Sequence, residues 1–410
     1  MDTTPESARG TTAPAALAHE PAYGWVVVWG SFASLLVIFG VAYSFAAFFD
    51  SFAREFAARR ADVAAVFGLC GLMYFLLGPV GGMLADRHGP RIVCSAGMIV
   101  IAAGLLLASF ASSLGTIYGA YSIGVGLGVA LVYTPSIGSV QPWFTRRRGL
   151  AAGIASSGIG AGTLVLPLVA AAAIAAFGWR DAMRAIALGV IVIGLAATGV
   201  LKRAPAPVGA TAGVRPGKTL GEALRDRRFW WFYAFTLLSA PAMFIPFAHV
   251  SAAARDLGIG DARAVGLVGL IGVGSLFGRF AIGALADRLG RTVTLALMQA
   301  SMAFSYGLWY VAHGYAAFAV YAIWFGLSYG GIVSLMPAIC MDMFGARAVA
   351  TIVGTLYSAA AFGNLLGPVA AGAVFDRTGS YAPVVAGCIG FASLATLAAT
   401  SLVRRHAPAY

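Results

Sequence analysis

The sequence predicts an all-α membrane protein: twelve transmembrane helices in two six-helix bundles, with both termini on the cytoplasmic side. Three observations carry that expectation. Hydrophobic residues make up 60% of the 410 and charged residues only 10%, against about a quarter charged in a soluble domain. The apolar residues fall into runs of about 20, the length an α-helix needs to cross a bilayer. The two halves of the chain also repeat one another at a single offset.

In chain order, residues 1–22 lack a basic start followed by an apolar core, so they read as a disordered cytoplasmic tail. Spans are expected at 23–49, 62–85, 91–111, 115–142, 149–175 and 182–201, which form an N-terminal bundle over 23–201. Residues 202–228 are the one long polar interruption and read as a cytoplasmic linker. Its end, Thr219 to Glu222, has the pattern of a capping box. Spans at 229–254, 263–286, 292–312, 315–341, 348–374 and 381–403 form the C-terminal bundle, 229–403, before a short tail at 404–410.

Orientation follows from the basic residues. With the N-terminus inside, 18 of the 27 Lys and Arg lie in inner segments and 8 in outer ones, leaving Arg279 over. The net charge of +12 is therefore a membrane-topology signal and not a nucleic-acid footprint. Cys70, Cys94, Cys340 and Cys388 all sit in apolar runs without metal-ligand spacing. No metal or cofactor is expected.

The repeat is sharpest after the second and eighth spans. Gly82-Met-Leu-Ala-Asp86-Arg87-His-Gly89 returns 201 residues later as Gly283-Ala-Leu-Ala-Asp287-Arg288-Leu-Gly290. The same offset carries Gly153 to Gly354 and Pro167 to Pro368. Such duplication is a transporter signature, with the substrate site expected between the halves near the midplane. Asp86, Arg87, Asp287 and Arg288 are candidates for loops that gate the conformational change.

These paired Gly-x-x-x-Asp-Arg-x-Gly loops resemble those of the major facilitator superfamily. Other stretches resemble its monocarboxylate transporter family more specifically. They are Tyr23-Gly-Trp25 entering the first span, Trp143-Phe-Thr-Arg146-Arg-Arg148 before the fifth, and Phe325-Gly-Leu-Ser-Tyr329-Gly330 in the tenth. Bacterial oxalate/formate antiporters share much of this pattern.

Arg279 is the residue to which function should attach. It lies about 12 Å along its helix from Asp287, inside an apolar run. A guanidinium at that depth costs on the order of 2.5–3.5 kcal/mol and belongs in a bundle interior or watery cavity. No Asp or Glu lies deep in any run to pair with it. The resemblance implies an arginine of the eighth span that pairs with a substrate carboxylate, and Arg279 holds the matching position. Its planar donor fork suits that partner. On the same face, Gly272 and Gly283 are read as packing residues, while Ser275 fits either packing or ligand contact.

The chain also departs from the family. Proton-coupled members carry an acid four residues before the arginine and a lysine in the first span; here those positions are Ser275 and Tyr43. Oxalate antiporters add a lysine in the eleventh span, whereas the only lysines here are Lys202 and Lys218. One fixed cation matches one negative charge, which favours a monocarboxylate over a dicarboxylate.

Tyr43, Tyr133 and Tyr329 remain candidates to line the cavity, with packing as the alternative. Tyr329 matches an aromatic position that the family uses to limit substrate size. His249 and Asp256, seven apart on one helix face, are candidates for a substitute proton path, the alternative being an interfacial histidine and a solvated aspartate beside Arg255. Asn364, within the eleventh span, is read as an interhelical hydrogen bond.

The expected function is secondary active transport of small, lactate- or pyruvate-like monocarboxylates by alternating access, with proton coupling open. The expected setting is a bacterial inner membrane, and the protein is expected to work as a monomer. The alternatives are an oxalate/formate-type exchanger, a drug exporter on the same fold, or a transport-dead sensor. Enzymatic chemistry is not expected, since the five histidines at 19, 88, 249, 313 and 406 form no constellation with a nucleophile or metal cluster.

Overall fold

The computed structural model describes residues 22–58, 60–205 and 216–404. Most of the two tails, 1–21 and 405–410, and the middle of the linker, 206–215, lie outside the described residues.

Helix α1 is Tyr23–Glu55. Helix α2 comprises Arg60–Leu76 and Gly78–His88, bent by 42° at Leu77, where Gly78-Pro79 interrupts the backbone ladder. Then come α3 (Pro90–Ser109) and α4 (Leu114–Trp143). A continuous stretch, Arg148–Gly199, follows. It breaks at Gly178 (φ 79°), which divides it into α5 (148–177) and α6 (179–199). The second half is α7 (Arg227–Asp256), α8 (Asp261–Leu289), α9 (Arg291–Tyr310), α10 (Tyr315–Phe344), α11 (Val349–Thr378) and α12 (Ala382–Arg404).

Length and hydropathy alone give nine to ten of these rods as spans among the described residues. The bend of α2 separates nine from ten, and two further causes make up the difference from twelve. The α5–α6 pair counts once because only the left-handed Gly178 separates them. Helix α9 is diluted by Thr294, Gln299, Ser301 and Ser305, which it turns inward: Gln299 accepts from Ser239 of α7 (2.8 Å), and Ser301 bonds Ser328 of α10 (2.9 Å). Polar side chains inside a bilayer protein find partners between helices. The apolar side chains left on the outside, such as Leu168, Phe177, Val369 and Leu397, present a hydrocarbon surface to lipid.

The capping box forms as the sequence indicated. Glu222 N–H donates to Thr219 Oγ1 (3.2 Å) and Thr219 N–H to Glu222 Oε2 (2.7 Å), opening the short helix Leu220–Leu224. The linker end is pinned on the α10–α11 loop, with Lys218 N–H on the Phe344 carbonyl (2.7 Å) and Ala346 N–H on that of Pro216 (2.9 Å). Asp226 then caps α7. Burial opposes its ionisation, but hydrogen bonds from Arg228 and Lys218 outweigh this and hold its carboxyl well below the usual carboxylate range.

The halves meet most tightly at the end of the seam that carries Asp86 and Asp287. There α2 crosses α11, and α8 crosses α5, backbone against backbone. A Cβ on Gly354 would sit 2.5 Å from the Gly78 carbonyl oxygen, and one on Gly283 2.5 Å from that of Gly149. A Cβ on Gly153 would run into the carbonyl of Arg279. Gly283 is thus a packing glycine, as the sequence suggested.

Candidate functional site

Arg279 is 1% exposed, two turns from Asp287 on α8. Its Nε donates to Ser275 Oγ one turn earlier (3.2 Å), and its Nη1 donates to the Ser156 carbonyl of α5, in the other half (3.2 Å). The guanidinium lies 5.7 Å from the ring centroid of Tyr329 on α10, a cation–π distance. A guanidinium has five N–H donors, more than these bonds occupy. Among the described residues no carboxylate pairs with Arg279. A buried, oriented cation with spare donors is built to receive an anion.

A cavity of ≈ 360 Å³ begins at this guanidinium. It runs away from the aspartates, along the part of α8 that contains Gly272 and Val268. Tyr43, Ser275, Arg279 and Tyr329 all line it, so the structure brings together four residues that the sequence had singled out. Arg279 is its one charged side chain among the described residues. Four of the nine remaining described lining residues are aromatic, Phe45 and Phe49 of α1, Phe67 of α2 and Phe247 of α7; the others are Ile159, Gly160, Thr163, Val268 and Gly272.

Tyr133 does not reach this space. It lines a smaller cavity of ≈ 40 Å³, which shares Tyr43, Ile159 and Tyr329 with the first. There it stacks on Tyr357 of α11 (centroids 5.3 Å apart, planes 10°). Gly272 also differs from expectation. It lines the main cavity, and a Cβ on it would meet nothing within 4 Å, so its smallness leaves space and does not serve packing. Nothing in the sequence marked the Phe walls, because a Phe facing a cavity and one facing lipid or core look alike in an apolar run. The Ser156 carbonyl was equally hidden, since every residue has one.

At the tight end, both aspartates reach the opposite half. Asp86 accepts from the backbone N–H of Ala350 (3.4 Å) and Thr351 (2.8 Å) and from Thr351 Oγ1 (2.6 Å), at the start of α11. Asp287 accepts from the N–H of Gly149 (2.9 Å) and Leu150 (3.0 Å), at the start of α5. The first-turn amides of a helix lack intrahelical partners and carry partial positive charge, so a carboxylate is stabilising there. Arg291 donates to Asp287 (2.7 Å) and Asp342 (2.7 Å), and Asp342 also takes Arg148. Arg203 Nη2 donates to the Asp86 carbonyl (2.7 Å). Arg87 and Arg288 are exposed, and neither pairs among the described residues.

His249 and Asp256 are not brought together. His249 Nε2 donates to the Pro368 carbonyl (2.9 Å), which leaves Nδ1 to accept from the Tyr381 hydroxyl (3.2 Å) in the neutral ring. Asp256 lines a separate pocket with His313 and Tyr381. Neither residue is part of the cavity wall at Arg279.

The family model described as Major Facilitator Superfamily matches residues 30–368 and 242–409. Human Monocarboxylate transporter 11 is 30% identical over 377 residues, covering 88% of this chain and 78% of that protein. Rat Monocarboxylate transporter 3 is 31% identical over 383 residues, covering 88% and 75%. The chain belongs to the monocarboxylate transporter family of the Major Facilitator Superfamily. The superfamily fold is equally plain in three dimensions. The transporter FucP of E. coli, solved in the outward conformation, superposes with a TM-score of 0.74 at 13% identity, over 92% of this chain and 99% of that one. The protein is therefore a multi-span membrane transporter of this superfamily.

Proposed function

We propose that this transporter carries small monocarboxylate anions across the cell membrane by alternating access, with Arg279 as the carboxylate dock. The observation that carries the reading is a buried guanidinium at the foot of a cavity, with donors to spare and no carboxylate partner among the described residues. At 4 Å and an effective dielectric near 20, ion pairing is worth about 4 kcal/mol, enough to offset much of the desolvation of both partners. Tyr43, Tyr329 and Ser275 supply hydroxyls around the bound anion.

The basic, tightly packed end carrying Asp86 and Asp287 is assigned to the cytoplasm. With that end sealed and the cavity on the other side of Arg279, the conformation is outward-facing. Binding neutralises Arg279, and the loaded halves then rock about the site. Anion exchange is the second reading. It is favoured because the wall around Arg279 contains no acid among the described residues, and His249 and Asp256 lie away from it.

The test is uptake of labelled pyruvate and lactate into proteoliposomes by the wild type and by Arg279→Ala. The proposal expects saturable uptake by the wild type and near-background uptake by the variant. Wild-type rates in Arg279→Ala would end it. Stimulation by anion on the far side points to exchange, and acceleration by an inward pH gradient points to proton symport.

A further inference from the structure

Resting on the carboxylate dock, the shape of the cavity narrows the substrate. At ≈ 360 Å³ it falls in the size range of sites for drug-sized ligands. Pyruvate occupies the room of only a few waters at roughly 30 Å³ each, which would leave most of the space and its rings wet. Polar chemistry is concentrated at one end, where Arg279, Ser275, Tyr43 and Tyr329 meet; the one other polar side chain among the described lining residues, Thr163, donates its hydroxyl to the Ile159 carbonyl of its own helix (2.8 Å). Beyond that end the wall is largely apolar, with Ile159 and Val268 beside Phe45, Phe49, Phe67 and Phe247, rings that gain by touching an apolar body.

Two glycines hold that space open, one from each half. Gly272 of α8 lines the cavity with nothing within 4 Å of the position a Cβ would take. Gly160 of α5 lines it too, and its nearest neighbour, Leu276, stands 3.8 Å from the corresponding position. Neither glycine is needed for close helix approach, unlike Gly153 or Gly283.

We propose that the preferred substrate is a monocarboxylate with a branched or aromatic body, seated among the four phenylalanines over Gly160 and Gly272. Gly272 is then a specificity-determining position. It touches no catalytic or anion-binding atom, and its role is the room it leaves.

The test is proteoliposome uptake of three 2-oxo acids with one headgroup and growing bodies: pyruvate, 4-methyl-2-oxopentanoate and phenylpyruvate. Burial adds roughly fourfold per methylene, so the wild type should favour both larger acids over pyruvate by about tenfold or more in kcat/KM. Gly272→Leu fills open space without a backbone clash. It should lower kcat/KM for the larger acids by about tenfold relative to that for pyruvate, and recovery of monodisperse protein in detergent reports that the variant folds. Gly272→Ala should show the same trend more weakly. A wild type that prefers pyruvate, with uptake still lost in Arg279→Ala, overturns this inference and leaves the carboxylate dock standing. An unchanged ratio of larger acids to pyruvate in both Gly272 variants also overturns it. If no 2-oxo acid is carried, the dock and the inference fall together.

Discussion

The two halves make the same crossing and use it differently. The 201-residue offset that relates them in sequence also relates their contacts. Asp86 caps Ala350 and Thr351, and Asp287 caps Gly149 and Leu150, the same two amide positions of the equivalent helix. Gly354 packs on the carbonyl of Gly78, and Gly153 packs on that of Arg279. Gly78 and Arg279 are thus counterparts. One half places a glycine there and bends its helix by 42° beside it, while the other keeps α8 unbroken and mounts the guanidinium. The duplicated frame fixes where backbones touch, and a single side-chain position distinguishes the half that we propose docks the anion.

The largest expected effect removes that asymmetry. Arg279→Ala should lower uptake by on the order of a hundredfold or more. Arg279→Lys keeps the charge but loses the planar fork that spans Ser275 and Ser156, and about a tenfold loss in kcat/KM is expected. Equal rates for Lys and Arg would mean that charge alone matters.

The symmetric part of the frame is probed by Gly153→Ala and Gly354→Ala. Each sets a methyl against a backbone carbonyl that cannot swing aside, at a cost of ~1–3 kcal/mol to the sealed end. Both should increase thiol labelling of single cysteines placed in the loops at that end. A response from only one would show that the two crossings are not equivalent.

A smaller effect is expected at the aspartates. Asp287→Asn weakens two amide bonds and the link to Arg291, and Asp86→Asn weakens the bonds to Ala350 and Thr351. Charge-assisted bonds exceed neutral ones by about 1 kcal/mol, so each variant should open the end several-fold in the same labelling assay. The smallest effect belongs to Gly78→Ala. Its Cβ would stand 3.5 Å from its nearest neighbours, an ordinary contact, and uptake should stay within about twofold.

What could be read from the sequence depended on whether a residue's cost was local. Arg279 stood out because a charge inside an apolar run is expensive wherever the helix packs. Asp86 and Asp287 stood out because they recur at one offset. The twelve helices were legible for the same reason, including the separation of 149–175 from 182–201 that contains the break, since apolar length is a local property, whereas the bend of α2 at Leu77 was not. The partners of these residues were not legible. That Asp287 would find Gly149 and Leu150, or that Nη1 of Arg279 would find the Ser156 carbonyl, depends on helices 123 to 138 residues away. Gly272 was misread for a related reason. A glycine that admits a neighbouring helix and one that leaves room for a ligand are the same letter, and only the space above the Cα separates them.

On the proposed reading, Arg279 also determines how the electric field across the membrane acts on the carrier. The empty cavity bears one positive charge among its described lining residues, and with a carboxylate bound it bears none. Moving an elementary charge through the full field is worth about 2.3 kcal/mol per 100 mV, and switching the cavity from one side to the other engages some fraction of that only when it is empty. A carrier that switches only while loaded is indifferent to voltage, whereas one that must return empty is slowed or sped by it. The dependence of net flux on membrane potential therefore reads out which steps of the cycle leave Arg279 without its anion.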